Sequence, residues 1–454
     1  MPTNETNLLK QFMQGIEDGK IKFDDALERS NKDYQVFKCT EKHLCTSSGK
    51  HSEKKEFSEL ALGDNLEYMT QLLSKGYAGR FNLIYIDPPF FTKAKYNATV
   101  TIKDREGKEH KIHHLAYDDR FDRNLKFYIE NMTVRLMMIR ELLSDNGLVW
   151  VHLDWHSAHY IKMMMDYIFG DKNFVNEIVW CYKSGGSGKR HFARKHDTIL
   201  VYGKTKKYYL NIPKEKSYNR AFKPYQFKGV KEYKDEKGWY TLVNMKDVWL
   251  IDMVGRTSNE RTGYATQKPT ELMNRIIRSS SKEGDLVGDF FAGSGSFLEE
   301  AESLGRCWIG CDNEKLGVSI TKKRLDIKGA NYVYSSENAK NLNIDGVTIE
   351  CTDCDILESG KKLCKYRISR FVPDIAMGYI QLKDREFIED ALATDTMQFI
   401  DYIMVDSDYN GSFSCTDMFD KNYDNMTVVA RDLTAFIVVD IFGREYFIKK
   451  ENDK

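Results

Sequence analysis

Two periodicities alternate along this chain. Short runs of β-forming apolar residues, such as Phe81-Asn82-Leu83-Ile84-Tyr85-Ile86, read as buried strands. Between them apolar residues recur every three or four positions, which marks amphipathic helices. A strand at Glu59-Leu60-Ala61-Leu62 runs into Gly63-Asp64 and a helix through Leu66, Met69, Leu72 and Leu73. After the Phe81 strand and a polar, irregular stretch from 92 to 124, a helix carries Met132, Leu136, Ile139 and Leu142-Leu143. Asn146-Gly147 turns it into a strand from Leu148 to Leu153, followed by a helix from Ala158 to Phe169 and two β-runs, 177–180 and 198–202. A second block starts with a helix at Thr270, continues through a strand at 285–291, a glycine turn and a helix, and ends with a strand at 306–312 and its helix. Strands alternating with helices predict an α/β fold, a doubly wound and mostly parallel sheet.

The flanks differ. Residues 1–55 hold two helical units, around 7–13 and 24–29, and predict an appended helical extension. Residues 341–454 alternate in short runs, Phe436-Ile437-Val438-Val439 and Tyr446-Phe447-Ile448 among them, and predict a small β-rich domain. The core between divides into halves at 56–180 and 263–335, separated by an insert at 181–262. A chain of 454 residues has room for two or three domains, and 41% apolar residues suffice for their cores. The formal charge of zero hides an asymmetry. Residues 181–237 carry 16 Lys or Arg against 5 Asp or Glu, a net of +11, whereas 341–454 carry 13 against 22, a net of −9. The insert suits a polyanion and the tail does not. No apolar run approaches the ~18 residues of a membrane span, and no signal peptide is evident at the N-terminus. With nine cysteines at irregular spacing, these features predict a reduced, cytoplasmic protein.

The chemistry concentrates at two strand ends. Asp87-Pro88-Pro89-Phe90 closes the Phe81 strand, and two prolines must end a sheet ladder because neither has an N–H to give. Termination alone needs neither the acid nor the aromatic. An exocyclic amine on a base is a poor nucleophile, because its lone pair is delocalised into the ring. Asp87 accepting one N–H and the Pro88 carbonyl accepting the other would aim that lone pair, with Pro89 stiffening the loop and Phe90 offering a face for the base. The second strand end reads Asp289-Phe290-Phe291-Ala292-Gly293-Ser294-Gly295, a glycine turn that lets a ligand approach the backbone. The next strand ends in Asp312, 17 residues after Gly295, where an acid hydrogen-bonds ribose hydroxyls in such sheets. No GxxxxGK[ST] pattern is present, so a ribose cofactor without a pyrophosphate fits, and S-adenosylmethionine is the common one. The run Ser184 to Arg190 lacks phosphate-loop spacing and reads as a mobile loop.

These motifs, in this order, resemble the β-class amino-methyltransferases of bacterial DNA modification, in which a catalytic D-P-P-Y/F motif precedes an F-x-G-x-G cofactor motif. The match runs over about residues 58 to 330 and includes Gly63-Asp64 and Gln267-Lys268-Pro269, the latter 20 residues before Asp289. The stretches around Val151 to Trp180 and Arg194 to Lys204 are similar to modification subunits of type III restriction systems and their solitary relatives. The resemblance implies a Rossmann-like S-adenosylmethionine-dependent methyltransferase fold with permuted motif order. It also implies that Asp87, Pro88, Pro89 and Phe90 meet the target base. Asp289, Phe291, Ala292, Gly293, Ser294 and Gly295 would line the cofactor pocket, with Asp312 at the ribose. Gln267, Lys268 and Pro269 would lie near its methionine end and Asp64 near its adenine. Phe290 and Phe91 depart from the usual Pro and Asn without removing a group the chemistry uses. An aspartate at 87 is usual in adenine-N6 enzymes and a serine in cytosine-N4 enzymes, so adenine is favoured.

The same resemblance makes 181–262 the target recognition region, with Lys183, Lys189, Arg190, Arg194 and Lys195 as candidate contacts to double-stranded DNA. Interleaved Tyr and Phe residues add stacking surfaces. Cys351, Cys354 and Cys364 hint at zinc, as do Cys39, His43 and Cys45, but a fourth ligand is not apparent in either set, although Cys415 could join the first through space. Free reduced thiols and no metal are expected. His152 reads as a packed core residue. The function predicted is site-specific methylation of adenine N6 in duplex DNA, within a restriction-modification or solitary system. The alternatives are cytosine N4, or a DNA-recognition subunit for a partner ATPase and nuclease, since no helicase or nuclease motif is visible. A homodimer is a further possible assembly, and RNA or protein substrates are disfavoured by the basic insert.

Overall fold

The computed structural model describes residues 4–44, 58–92, 95–104, 106–118, 124–183, 189–255, 257–337, 345–420 and 423–452. Eleven strands form one central sheet. Its spatial order is Val248–Leu250, Phe174–Cys181, His196–Gly203, Leu143–Leu153, Phe81–Ile86, Leu286–Asp289, Cys307–Asp312, Ser58–Leu62, Asn331–Ser336, Lys38–Leu44 and Phe413–Cys415. The six strands from Leu143–Leu153 to Asn331–Ser336 run parallel, and His196–Gly203 lies antiparallel beside them. Side chains of Phe81–Ile86 alternate between two cores. Leu83 and Tyr85 pack with Leu272, Phe297 and Val318 on one face, while Ile84 and Ile86 pack with Met69, Leu136 and Met164 on the other. A strand covered on both faces must be apolar at nearly every position, which is why it read as a continuous run. The two halves of the fold meet where Phe81–Ile86 pairs with Leu286–Asp289. From these neighbours the chain departs in opposite directions across the sheet, and a crevice opens at their carboxyl ends.

Three segments differ from expectation. The N-terminal residues form one helix, Asn4–Ser30, instead of two units in an appended extension, and it lies against helix Leu125–Leu142. Gly15 and Gly19 permit the approach, since a Cβ on Gly15 would stand 2.7 Å from the Lys126 carbonyl and one on Gly19 2.6 Å from Thr133 Cβ. Arg29 then grips Glu67 through two N–H groups at 2.5 and 3.2 Å, and Lys38–Leu44 joins the sheet antiparallel to Asn331–Ser336. The stretch from 92 to 124 is not irregular, because Lys95–Lys103 and Glu109–Asp118 form a hairpin. Ile102 and Ile112 carry it into a core with Ile388 and Phe399, but its other face is polar and its alternation is therefore faint. Residues 347–452 build two small antiparallel sheets around helix Leu382–Thr394, yet Phe413–Cys415 serves as an edge strand of the central sheet.

The cysteines differ too. Cys354 and Cys364, expected as free thiols, are cross-strand partners joined as a disulfide, because antiparallel pairing puts both side chains on one face. Cys45 and the loop from Ser184 to Gly188 lie outside the described residues. Among the described residues no helix is long and apolar enough to cross a membrane.

Candidate active site

A cavity of about 300 Å³ lies at the carboxyl ends of Phe81–Ile86, Leu286–Asp289 and Cys307–Asp312. One wall is the turn Phe291 to Ser294, shaped by glycines in left-handed conformations, φ 51° at Gly293 and 73° at Gly295. Gly295 has no room for a side chain, since a Cβ would meet Thr321 Cγ2 at 2.5 Å. Helix Lys315–Ile327 clamps the turn through Thr321 Oγ1, which donates to the Gly293 carbonyl at 3.0 Å, and Arg324, which donates to the Ser294 carbonyl at 2.8 Å. Asp312 locks it from the cavity side, accepting the Gly293 amide at 2.7 Å and the Glu314 amide at 2.9 Å.

Asp289, Asp312 and Glu314 bring three carboxyl groups to one cavity. Burial pushes Asp289 well above the carboxylate range, although the Phe291 amide donates to it. Burial also raises Asp312 against the pull of the Glu314 and Gly293 amides. Glu314 is pushed up to about 7 by burial and by the neighbouring charge of Asp312. Tyr264, Phe291 and Phe297 add aromatic faces. Acceptors for hydroxyl and ammonium donors, flat apolar surfaces and negative charge together fit S-adenosylmethionine, with its ribose, adenine and sulfonium.

Asp87 and Phe90 stand at the other side of the same cavity. Lys268 is ion-paired with Asp87 Oδ2, while Asp87 Oδ1 is buried and, among the described residues, has no hydrogen-bond partner. A buried carboxylate oxygen without a donor is costly, so this atom is an acceptor in want of an N–H. The Lys268 ammonium also lies 5.8 Å from the Phe90 ring centre. Behind Phe90 the ring of His152 stacks at 6.0 Å and 21°. His152 is fully buried, with Nδ1 3.0 Å from the Tyr85 hydroxyl and Nε2 3.1 Å from Asp197, whose other oxygen accepts from Tyr182 at 3.1 Å. It is thus a support of the loop, and its tautomer is set by Asp197, toward which Nε2–H donates while Nδ1 accepts from Tyr85. Phe91 takes a left-handed conformation, φ 62°, and stacks on Tyr128 at 5.1 Å, a strained geometry directly after Phe90.

Other predicted residues are placed elsewhere. Asp64 does not line the cavity. It caps helix Asn65–Ser74 through the Leu66 amide and pairs with Arg135 at 3.2 Å. Gln267 is buried and braces its own segment, accepting from the Thr262 amide at 2.8 Å, and Pro269 starts helix Thr270–Ser280. Lys183 and Lys195 face a wider cleft of about 650 Å³ with Glu260 and Pro269, and Lys183 pairs with Asp252 at 3.7 Å. Arg194 lies over the Trp155 ring at 3.8 Å, and Lys189 and Arg190 are exposed. Further along the insert a three-stranded sheet, Lys214–Tyr218, Glu232–Asp235 and Gly238–Asn244, stacks Tyr233 on Tyr240 with Lys216 and Lys231 over the two rings. Sequence reasoning missed Tyr264, Glu314, Tyr85 and Asp197. The nearness of Tyr264 to Gln267 and of Glu314 to Asp312 was the one available signal.

The chain is similar to known DNA methyltransferases. Residues 81–323, more than half of the chain, match the DNA methylase family of N6 and N4 methyltransferases. The type II methyltransferase M.EcaI of Enterobacter cloacae is 31% identical over 339 residues, covering 61% of this chain and 71% of that one. M2.LlaDCHI of Lactococcus lactis subsp. cremoris is 30% identical over 270 residues, covering 58% and 88%. A solved M1.HpyAVI–SAM complex superimposes with a TM-score of 0.37 at 20% identity, covering 59% of this chain and 98% of that one. On the family match and the relatives, this chain belongs to the DNA methylase family and is a DNA methyltransferase.

Proposed function

We propose that this DNA methyltransferase transfers the methyl group of S-adenosylmethionine to N6 of an adenine turned out of duplex DNA. The observation that carries the reading is Asp87 in the cavity wall, one oxygen held by Lys268 and the other buried and, among the described residues, without a donor. S-adenosylmethionine supplies a methyl group already activated on a sulfonium. Asp87 Oδ1 would accept one N–H of the amine and the Pro88 carbonyl the other, aiming the nitrogen lone pair at the methyl carbon. With the methyl group taken up by the nitrogen and the demethylated cofactor as leaving group, the surplus amine proton would pass to Asp87 or to water. Lys268 would hold Asp87 in place, and Phe90, backed by His152, would receive the base. Asp312 would hold the ribose hydroxyls, with Phe291, Gly293 and Ser294 as the facing wall. Region 181–262 would lie along the duplex, its lysines and stacked tyrosines supporting phosphate contacts. Adenine is preferred over cytosine because an aspartate at this position resembles the N6 enzymes.

The test is transfer from labelled S-adenosylmethionine to unmethylated genomic DNA, digested to nucleosides and resolved by mass, with Asp87→Ala alongside. Label should appear in N6-methyladenine and fall about a hundredfold or more in the variant. Label in N4-methylcytosine would overturn the substrate and keep the mechanism. Absence of label in DNA despite bound cofactor would sink the duplex-DNA reading for the isolated chain.

A further inference from the structure

On the hairpin of Val347–Ile356 and Lys362–Phe371, three sulfurs converge. Those of Cys351, Cys354 and Cys364 lie within 4.8 Å of one another. Residues three apart on a regular strand face opposite sides, so Cys351 and Cys354 should not meet. A β-bulge between Cys351 and Asp353 resets the alternation. Cys351 then stands opposite Tyr366 and Cys354 opposite Cys364, and all four side chains share one face. The bulge and the Cys354–Cys364 disulfide account for two of the sulfurs. Cys351, half-buried against the same core as Cys364 and with its Sγ donating to the Asp353 carbonyl at 3.4 Å, brings a third sulfur to the same point. Cys364 is buried while Cys351 and Cys354 are half-buried, so the group is reached from one side.

Thiolates bind zinc tetrahedrally at about 2.3 Å, so sulfurs on one ion lie about 3.8 Å apart, inside the 4.8 Å that encloses the three here. Soft sulfur donors select thiophilic cations over calcium or magnesium. No fourth His, Cys, Asp or Glu joins the group among the described residues, which leaves the last coordination position to water. We propose that the reduced cluster is a site for one zinc-like divalent cation, with Cys351, Cys354 and Cys364 as thiolate ligands. Opening the disulfide takes two electrons from a thiol or phosphine reductant and two protons, which come from the thiols or, with a phosphine, from the water whose oxygen it takes up as phosphine oxide. Binding then exchanges three thiol protons for three sulfur–metal bonds.

The experiment uses the full chain, reduced anaerobically with a phosphine, freed of reductant and dialysed with Zn²⁺ or, in parallel, Co²⁺. One Zn²⁺ per chain should be retained, Co²⁺ should develop a thiolate charge-transfer band, and metal should shield three thiols from a thiol reagent. Cys351→Ser should cut the retained ion at least about tenfold with the cofactor-induced rise in melting temperature intact, and exposed Cys39→Ser should change nothing. Metal-free protein after dialysis, or equal retention by Cys351→Ser, overturns the site and leaves a disulfide beside a packed thiol.

Discussion

Glu314 shows what single residues contribute to the cavity. Its carboxyl, pushed up to about 7 by burial and by Asp312, shares a proton with solvent near neutrality. Hydroxyl or ammonium donors of the cofactor favour the ionised form, so binding should expel that proton. The sign follows: a ligand that prefers the deprotonated state binds more tightly as pH rises through about 7. Calorimetric affinity for S-adenosylhomocysteine should therefore strengthen from about pH 6 to about pH 8, and Glu314→Gln should flatten the profile. A wild-type profile as flat as that of the variant would separate Glu314 from the cofactor.

At the level of elements, close backbone approaches matter more than propensity. Gly15 and Gly19 weaken the isolated helix Asn4–Ser30, where glycine costs about 1 kcal/mol relative to alanine. The contact with helix Leu125–Leu142 offsets this, because the atoms a Cβ would strike are backbone carbonyls and the first side-chain carbons of Ile129 and Thr133. These cannot swing away. Gly19→Leu should destabilise the protein by roughly 1–3 kcal/mol or more, read as a lower melting temperature. An unchanged melting temperature would mean that the helix is not docked as described. Buried Phe12, Ile16 and Phe23 show the same helix completing the core under the Phe81 strand, so it belongs to the methyltransferase body.

At the scale of the whole molecule, a buried charged cluster ties strand Lys38–Leu44 to helix Lys315–Ile327 and strand Glu445–Glu451. Lys322, fully buried, pairs with Glu41 and with Glu445 at 3.0 Å. His43 sits between Asp326 at 2.8 Å and Glu41 at 3.2 Å and stacks on Tyr332. Burial and the charge of Lys322 lower the imidazole pKa, but the two carboxylates win and hold it above its ordinary value. A raised histidine pKa contributes stability that is complete below about 6.5 and fades as pH climbs through the folded value. His43→Gln should cost more stability at about pH 6 than at about pH 9. A cost independent of pH would show that the imidazole is neutral in the fold.

Much of this was legible in linear order. The parallel core strands announce themselves because burial on both faces leaves little choice but apolar residues, and Asp87 to Phe90 and Phe291 to Gly295 stand where such strands end. Local chemistry sufficed there, since proline, glycine and an acid each constrain the backbone or the ligand next to them. The 95–118 hairpin was hidden because its apolar face meets a core built from residues far along the chain, such as Ile388 and Phe399, while its other face is polar. The edge strand Phe413–Cys415 was hidden because its partner Lys38–Leu44 is distant in sequence. The partnership of Lys268 with Asp87 and of His152 with Asp197 likewise follows from packing. Periodicity records which face of a segment is buried. What that face meets, and which charges end up confined together, is decided only when the strands assemble.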